Sequence, residues 1–368
     1  MSKYVYYFLM PVLVPLMVLT LPNSWKRTRR KRMILAVYGV AAVLVFTAMI
    51  SAAAFVTSPP VRLLLIYGAL CFFAATLSAI LVSLLRYLLA YICIRLNAWS
   101  AVEALHSNRG YAVAVALCAS FFLGIGSLHF NGSRVLTYDV NLTDGTPDHP
   151  SQCTIALLSD IHLGAGAGNA LVGEVCDQVA GLHPDLVCIS GDLVDMMTLP
   201  EDLDYFADRI AELRPKYGVF FAEGNHEKDS DLDCRAALEK RGVICLYDEA
   251  VLLENGLAVA GRRDDHAVSV PDILAAASIP EGTPAVILSH RPADLAGMSD
   301  HPFLVLCGHT HGYQLPIYGL INPYLSDLPY GYRDFGRMKA VTSAGTAAWG
   351  FRIKWPSYNE TCLIRLVY

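Results

Sequence analysis

The order of apolar and polar positions divides the chain into two parts of different character. The first third contains long uncharged apolar runs at residues 4–21, 33–57, 63–85 and 111–128. A helix needs about 20 residues to cross the hydrocarbon core of a bilayer, so these runs predict four transmembrane helices in a domain covering residues 1–129. Four such runs in succession are not typical of the buried helices of a soluble protein.

The rest of the chain has the pattern of a folded α/β domain. Residues 130–152 are polar, contain Gly and Pro, and predict a linker with room for one strand. In residues 153–368, short apolar runs rich in β-branched residues alternate with amphipathic stretches, which is typical of an α/β or layered α+β domain. Apolar residues at three- and four-residue spacing predict helices over 168–181 and 201–213.

Net charge changes sign between these two parts. Residues 1–129 contain 11 Lys/Arg and one acidic residue, a net charge of +10. Residues 130–368 contain 17 Lys/Arg and 32 Asp/Glu, a net charge of −15, and the two values sum to the −5 of the whole chain. Since nucleic-acid binding usually depends on a basic surface, we expect this acidic domain not to bind nucleic acid.

The basic residues of the apolar part predict its orientation in a membrane. Six of them lie at 26–32, after the first run, and Arg86, Arg95 and Arg109 lie between the third and fourth runs. Loops rich in Lys and Arg stay in the cytoplasm. We therefore expect a multi-pass membrane protein whose acidic domain lies on the exoplasmic side, periplasmic or extracellular.

Five strand-like apolar runs end in residues of the same kind, Asp, Asn or His, often after Gly or Ser. The five endings are SDIH at 159–162, GD at 191–192, GNHE at 224–227, SH at 289–290 and GHTH at 308–311. Side chains at the carboxyl ends of strands share one crevice when helices flank the sheet. We therefore expect these side chains to lie close together.

The side chains at these strand ends are of the types that bind divalent metals. They are Asp160, His162, Asp192, Asn225, His226, His290, His309 and His311. Carboxylate, imidazole and amide donors suit Mn²⁺, Zn²⁺ or Fe²⁺, whereas structural zinc sites are rich in thiolates. Eight groups are too many for one tetrahedral ion but fit two ions that share a carboxylate. Two ions ~3.5–4 Å apart can activate a water and withdraw charge from phosphoryl oxygens.

The five motifs, in this order, resemble those of the calcineurin-like metallophosphoesterase superfamily, over roughly residues 150–368. The chain is similar to the membrane-linked branch of YkuE- and YaeI-type phosphodiesterases. The resemblance implies an αββα sandwich, two mixed β-sheets flanked by helices, for residues 153–368. It also implies hydrolysis of a phosphodiester or pyrophosphate bond.

The resemblance assigns a role to each motif residue. It implies that Asp160, His162 and His311 hold one metal, that Asn225, His290 and His309 hold the other, and that Asp192 bridges them. His226 is implied to be catalytic but not a ligand, stabilising the transition state or protonating the leaving oxygen. A metal-bridging hydroxide would attack phosphorus in line.

Residues beside the motifs are candidates for substrate contacts. Members of this branch usually continue HGGQ after the last histidine, whereas this chain has HGYQ, so Tyr313 narrows the pocket or offers an aromatic face. Arg291 is a candidate for binding the substrate phosphate, with a structural ion pair as the alternative. Arg333 is a similar candidate in the Tyr- and Pro-rich segment 313–337.

Other acidic residues near the motifs have structural interpretations. Asp195 and Glu227 are expected to orient ligands or solvate a loop, and Asp264 and Asp265 to form a surface turn.

The leading hypothesis is a membrane-anchored two-metal phosphoesterase acting on a lipid-linked substrate, because the anchor would hold the site near the bilayer. One alternative is a cytoplasm-facing pyrophosphatase resembling those that cleave UDP-diacylglucosamine. The other alternative is a non-catalytic membrane receptor or scaffold on the same fold. The complete set of eight polar residues argues against it, because a degenerate member would be expected to lose some of them.

Overall fold

The computed structural model describes residues 44, 59–105, 107–143, 150–164, 166–195, 197–315, 319, 324 and 326–368. The apolar runs at 4–21 and 33–57 lie outside the described residues, except for Leu44. The chain divides into two compact units, Met1–Ile125 and Gly126–Tyr368.

Two of the apolar runs coincide with helices long enough to cross a membrane. The helices are α1 (Pro59–Arg95), α2 (Trp99–Leu105) and α3 (Asn108–Phe130). Candidate spans are Tyr67–Arg95 in α1 and Arg109–Phe130 in α3, which correspond to the runs at 63–85 and 111–128. Within the part of the chain that the structure describes, the expected four-helix segment is therefore supported for two helices, not four.

The helix α1 is longer than the apolar run that predicts it. Arg86 lies inside α1 and not in a loop, because the sequence after Arg86 continues with apolar residues up to Arg95. The guanidinium carbon of Arg86 lies 5.3 Å from the centre of the Tyr111 ring, which provides a cation–π partner for the charge. The loop between α1 and α3 is therefore less basic than the orientation argument assumes.

The second unit contains twelve described strands and four further α-helices. The strands are β1 (Ser133–Asn141), β2 (Gln152–Leu158), β3 (Leu186–Ser190), β4 (Val219–Ala222), β5 (Ile244–Cys245), β6 (Glu249–Leu252), β7 (Ala258–Arg262), β8 (Ala285–Ser289), β9 (Phe303–Cys307), β10 (Gly331–Asp334), β11 (Lys339–Thr342) and β12 (Asn359–Val367). The helices are α4 (Asn169–Leu182), α5 (Pro200–Ala211), α6 (Cys234–Glu239) and α7 (Val270–Ala276).

These strands form two mixed six-stranded sheets. The first has the order β1-β12-β2-β3-β4-β5, and the second has the order β10-β11-β9-β8-β7-β6. In the first sheet β2, β3, β4 and β5 run parallel, and in the second β7, β8, β9 and β11 run parallel. Residues 133–141, which the sequence places in the linker, form β1 and pair in parallel with β12.

The two sheets pack face to face over an apolar core. Leu157 and Phe220 from the first sheet and Leu288 and Leu306 from the second are fully buried in one cluster. Burial of a Phe or Leu side chain contributes about 1.5–3 kcal/mol. A second cluster joins the other face of the first sheet to α4, α5 and α6, and a third joins the second sheet to α7. The expected αββα fold is confirmed.

The two helices predicted from spacing are α4 and α5. The buried face of α4 consists of Val172, Val175, Cys176 and Val179, at the three- and four-residue spacing seen in the sequence. Helix α5 begins at Pro200, where its missing N–H costs nothing because the first helical N–H groups have no intrahelical partner.

Candidate metal centre

The carboxyl ends of strands from both sheets meet at one edge of the sandwich. The hydroxyl of Ser190, the last residue of β3, donates to the carbonyl of Leu306 on β9 at 2.7 Å. Nδ1–H of His290, which follows β8, donates to the carbonyl of Ser190 at 2.8 Å. The N–H of Gly308 donates to the carbonyl of His290 at 2.9 Å. The loops after β3, β8 and β9 are therefore bonded to one another.

Five of the motif residues adopt left-handed backbone conformations directly after their strands. Asp and His enter this region more readily than most residues, but it still carries a conformational cost. Their φ angles are 51° at Asp160, 47° at His162, 53° at Asp192, 71° at His309 and 53° at His311. Residues held in such conformations cluster at functional sites.

Two glycines allow the loops to contact the aspartates. A Cβ atom at Gly224 would overlap Oδ1 of Asp192, and one at Gly308 would overlap Oδ2 of Asp160. Any other residue would push the adjoining turn away from its aspartate. The glycines of GNHE and GHTH thus allow the backbone of each loop to approach an aspartate closely, because they have no Cβ atom.

Seven of the eight motif residues form three overlapping clusters. In each cluster, candidate ligand atoms lie within 4.8 Å of one another. The clusters are Asp160, His162 and His311; His162, Asp192 and His226; and Asp192, His290 and His309. Asp192 belongs to two of them, as expected of a carboxylate shared by two ions.

Short distances join the clusters around Asp192. Its Oδ2 lies 3.1 Å from Nε2 of His290 and 3.8 Å from Nε2 of His162. Nε2 of His311 lies 3.4 Å from Oδ1 of Asp160 and 3.3 Å from Nε2 of His162. Carboxylate oxygens and ring nitrogens therefore point at a common volume.

The donor atoms fit metal ions. Oδ1 of Asn225 and Nδ1 of His309 are buried and have no hydrogen-bond partner among the described residues. A buried polar atom without a partner costs about 1–3 kcal/mol. Coordination to a cation would remove this cost at both atoms, and amide, imidazole and carboxylate donors suit Mn²⁺, Zn²⁺ or Fe²⁺.

His226, a member of the second cluster, lies at the start of a short 3-10 turn. Its N–H donates to Oδ1 of Asp192 at 2.9 Å, and its Nε2 lies 4.0 Å from Oδ2 of Asp192. Its ring meets that of His162 edge-on at 4.8 Å and lies 6.1 Å from the ring of Trp349. A position between the donor cluster and Trp349 suits contact with a substrate.

Burial keeps His162 and His309 neutral, the form that binds metals. Burial lowers the pKa of His309 to about 3 and holds the pKa of His162 well below its usual value, with the neighbouring histidines adding to the effect. Burial also raises the pKa of Asp160 to about 6, although His290 opposes this. Burial acts to raise the pKa of Asp192 too, but His290 and other histidines outweigh it and lower that pKa.

Glu227, expected to orient ligands, binds the backbone of two site loops. Its buried carboxylate accepts N–H groups from Asp192 at 3.0 Å and from Gly224 at 2.6 Å. It also accepts those of Leu193 at 2.7 Å and Val194 at 3.2 Å. One side chain thus fixes the turn that carries Asp192 and the turn that carries Asn225.

The buried side chains of Lys354 and Glu360 each hold the loop behind Asp160, and the motifs do not reveal them. Nζ of Lys354 donates to the carbonyls of Ala344 at 2.6 Å and Gly345 at 2.8 Å, and Glu360 accepts the N–H of Ala344 at 2.7 Å. The same loop reaches the site, where the N–H of Ala347 donates to the carbonyl of Asp160 at 3.2 Å. Burial lowers the pKa of Lys354 to about 7, with Glu360 opposing.

The last turn of α3 is bonded to the segment that contains Lys354. The N–H of Lys354 donates to the carbonyl of Gly126 at 2.9 Å, and Nδ1–H of His129 donates to that of Ser357 at 3.2 Å. The hydroxyl of Ser357 in turn donates to the carbonyl of His311 at 3.1 Å. A hydrogen-bonded path therefore joins the end of the helix to a candidate metal ligand.

Arg291 forms the structural ion pair that the sequence left open. Its Nε lies 2.7 Å from Oδ1 of Asp264. Asp264 is buried, so the prediction of a surface position is wrong for this residue. Its carboxylate is the ion-pair partner of Arg291. Asp265 is exposed and lies 3.5 Å from Nζ of Lys228.

The other two substrate candidates differ in their surroundings. Tyr313 is half-buried, has a φ of 64°, and lies two residues after His311. Arg333 is exposed on β10, donates to the carbonyl of Asp327 at 3.3 Å, and lies 4.8 Å from the ring of Phe335. These contacts place Arg333 at the edge of the second sheet, and a role in substrate binding stays a prediction for both residues.

The sequence profile of calcineurin-like phosphoesterases matches residues 153–313, which include all five motifs. This part of the chain belongs to that family. The family's description, calcineurin-like phosphoesterase, agrees with the enzyme class expected from the motifs, metal-dependent phosphoester hydrolase.

Three relatives of this phosphoesterase domain show how far the similarity extends. An uncharacterized metallophosphoesterase of Campylobacter jejuni is 29% identical over 60% of this chain and 60% of its own length. A zebrafish (Danio rerio) transmembrane protein with a metallophosphoesterase domain is 28% identical over 71% of this chain and 64% of its own. The phosphodiesterase YaeI of Escherichia coli is 24% identical over 67% of this chain and 95% of its own. The chain thus spans less than two thirds of the first two relatives.

Proposed function

We propose that the chain is a membrane-anchored phosphoesterase that uses two divalent metal ions to hydrolyse a phosphodiester or pyrophosphate bond. The observation that carries this proposal is the position of Asp192, which belongs to two adjacent clusters of candidate ligands. The family match and the name of its relative YaeI, a phosphodiesterase, support the same reaction class.

Two sets of residues would hold the ions, which we take to be Mn²⁺, Zn²⁺ or Fe²⁺. Asp160, His162 and His311 would bind one ion, Asn225, His290 and His309 the other, and Asp192 both. When bound, such ions lower the pKa of a water and withdraw charge from phosphoryl oxygens. Nδ1–H of His290 donates to the carbonyl of Ser190, and this bond turns Nε2 toward Asp192.

His226 acts on the leaving group in this proposal. Hydrolysis adds a water to phosphorus, and the leaving oxygen must gain a proton. The backbone N–H of His226 is bonded to Asp192, so its ring is fixed beside the cluster with Nε2 available to donate that proton. Groups of this kind typically contribute 10²- to 10⁴-fold to the rate.

Activity of the full-length protein in detergent tests the proposal. Wild type loaded with Mn²⁺ is expected to hydrolyse bis-p-nitrophenyl phosphate, and Asp192→Ala to abolish hydrolysis. Asp177→Ala is the matched control, since Asp177 is exposed on α4 and pairs with Arg209 at the surface. Equal rates for wild type and Asp192→Ala under Mn²⁺, Zn²⁺ and Fe²⁺, or no hydrolysis by either, would show that the protein is not this enzyme.

We further propose that the catalytic domain lies on the exoplasmic side and that its substrate is linked to a lipid. The two candidate spans and the transmembrane relative support anchoring in a membrane. The basic residues at 26–32, taken with the four predicted spans, support the exoplasmic side. A phosphatase reporter fused after Tyr368 is expected to be active outside the cytoplasm. A reporter active only in the cytoplasm would instead favour a pyrophosphatase acting there on a UDP-linked lipid precursor.

A further inference from the structure

Trp349 places an aromatic ring beside the residue that would protonate the leaving group. The ring is half-buried and lies 6.1 Å from the ring of His226, at an interplanar angle of 67°. His226 in turn lies 4.8 Å from His162. The indole is therefore separated from the candidate metal ligands by a single ring.

The side chain of Gln314 holds Trp349 in this position. Its Oε1 accepts the N–H of Trp349 at 3.0 Å, while its Nε2 donates to the carbonyls of Trp349 at 3.0 Å and Phe351 at 3.3 Å. The amide of Gln314 is almost fully buried and uses both its acceptor and its donors on this one segment. Because Gln314 follows His311 by three residues, the segment that carries a metal ligand also positions the indole.

Both ends of the Trp349 segment are bonded to loops of the site. The N–H of Ala347 donates to the carbonyl of Asp160 at 3.2 Å, and Nη2 of Arg352 donates to the carbonyl of Gly164 at 3.0 Å. A surface tryptophan that only filled space would not require these constraints. Ligand pockets combine such fixed aromatic walls with a few polar groups that set the orientation.

We propose that Trp349 forms the apolar wall of the substrate site and binds an aromatic or apolar group attached to the scissile phosphate. This inference rests on the proposed function, because it takes the volume beside His226 to be the phosphate position. The flat face of the indole suits stacking, whereas His226 and the metal ligands serve the phosphate. Trp349 thus determines which esters are accepted, and Gln314 is its positioning residue.

Binding of two phosphomonoesters to the Mn²⁺-loaded full-length protein tests this assignment without turnover. Isothermal titration calorimetry would compare phenyl phosphate, which offers a ring, with methyl phosphate, which does not. Trp349→Ala is expected to weaken phenyl phosphate about tenfold, the size expected for the loss of one stacked ring, and to leave methyl phosphate unchanged. Trp349→Phe is expected to restore most of the difference.

Two further variants complete the design. Gln314→Ala is expected to reduce the preference for phenyl phosphate in the same direction, because the backbone that carries the indole loses its hydrogen bonds to Gln314. Trp99→Ala, which removes an exposed tryptophan from α2, is the matched control and is expected to change neither affinity.

The outcomes separate this inference from the proposed function. Trp349 does not select the organic group if Trp349→Ala keeps the wild-type affinity for both esters, or if its affinity for both falls equally. This conclusion does not depend on the result with bis-p-nitrophenyl phosphate. If the preference shifts as expected while wild type fails to hydrolyse the diester, Trp349 lines a phosphate-ester binding site and only the proposed reaction is wrong.

Discussion

The carboxylate of Glu227 accepts the backbone N–H of Asp192 at 3.0 Å. Glu227 therefore fixes the turn that carries Asp192, the residue that both metals would share. Glu227→Gln keeps the shape but replaces an acceptor oxygen by an NH₂ group facing backbone N–H groups. Hydrogen bonds to charged acceptors contribute about 1.5–3 kcal/mol each. We expect at least a tenfold fall in kcat/KM and weaker Mn²⁺ binding.

Glu239→Gln is the control for that substitution, because Glu239 is exposed and pairs with Arg235 at the surface. Both variants would be assayed with bis-p-nitrophenyl phosphate and titrated with Mn²⁺. Wild-type activity and metal affinity in Glu227→Gln would mean that the turn of Asp192 does not depend on this carboxylate.

Removal of the Asn225 amide should affect one metal and not the other. Its Oδ1 is buried without a partner among the described residues, and Asn225 would serve only the second ion. We expect Asn225→Ala to lower the metal content from about two to about one ion per chain, and Asn225→Asp to retain two, because a carboxylate oxygen can replace the amide oxygen. Inductively coupled plasma mass spectrometry measures the metal content. Asn255→Ala, in the turn between β6 and β7, is the control. Two ions in Asn225→Ala would remove Asn225 from the ligand set.

Lys354 should be necessary for stability although it touches neither metal nor substrate. Lys354→Met leaves the carbonyls of Ala344, Gly345 and Tyr358 without the donor that Nζ supplies. A buried polar group left without its hydrogen bond costs about 1–3 kcal/mol. We expect a clear drop in the unfolding midpoint measured by differential scanning fluorimetry, whereas Lys240→Met, at an exposed position, should change it little. An unchanged midpoint in Lys354→Met would contradict the supporting role.

Metal affinity should fall with falling pH, most steeply below about pH 6. The pKa of Asp160 is raised to about 6 by burial, so its carboxylate is ionised above that pH and takes up a competing proton below it. The pKa of His309 is lowered to about 3, so His309 stays neutral across the same range. Burial acts to lower the pKa of His290, but Asp192 outweighs it and raises that pKa to about 10, so a proton on His290 competes with the metal across this range. We expect the Mn²⁺ Kd to rise as the pH falls from 8, and to rise more steeply below about pH 6. A Kd independent of pH down to 5 would contradict this assignment.

The residues at the strand ends could be predicted because each signal is local. His162 and His311 both follow an apolar run, and adjacency at the strand ends is a general property of such sheets. Gln314 and Lys354 could not be predicted in this way. They act on backbone groups of other segments, and their partners are known only once the chain is folded.

Hydropathy locates the two described candidate spans but not their ends. A count of uncharged residues stops at Arg86, whereas α1 continues through it, because the ring of Tyr111 on α3 provides the charge with a partner. Asp264 was assigned to the surface by a similar local argument, and its burial follows from a partner, Arg291, that lies far along the chain.

The bonds at the end of α3 affect how a soluble version of this protein would have to be made. A cut at the sequence-based start of the phosphoesterase domain, residue 153, would remove β1 from the first sheet and leave β12 as an edge strand. A cut at residue 131 would keep β1 but delete the carbonyl of Gly126 that Lys354 uses and the imidazole of His129 that binds Ser357. The smallest version that retains the support behind His311 therefore begins at or before Gly126, and it carries the final, apolar turn of a candidate membrane helix with it.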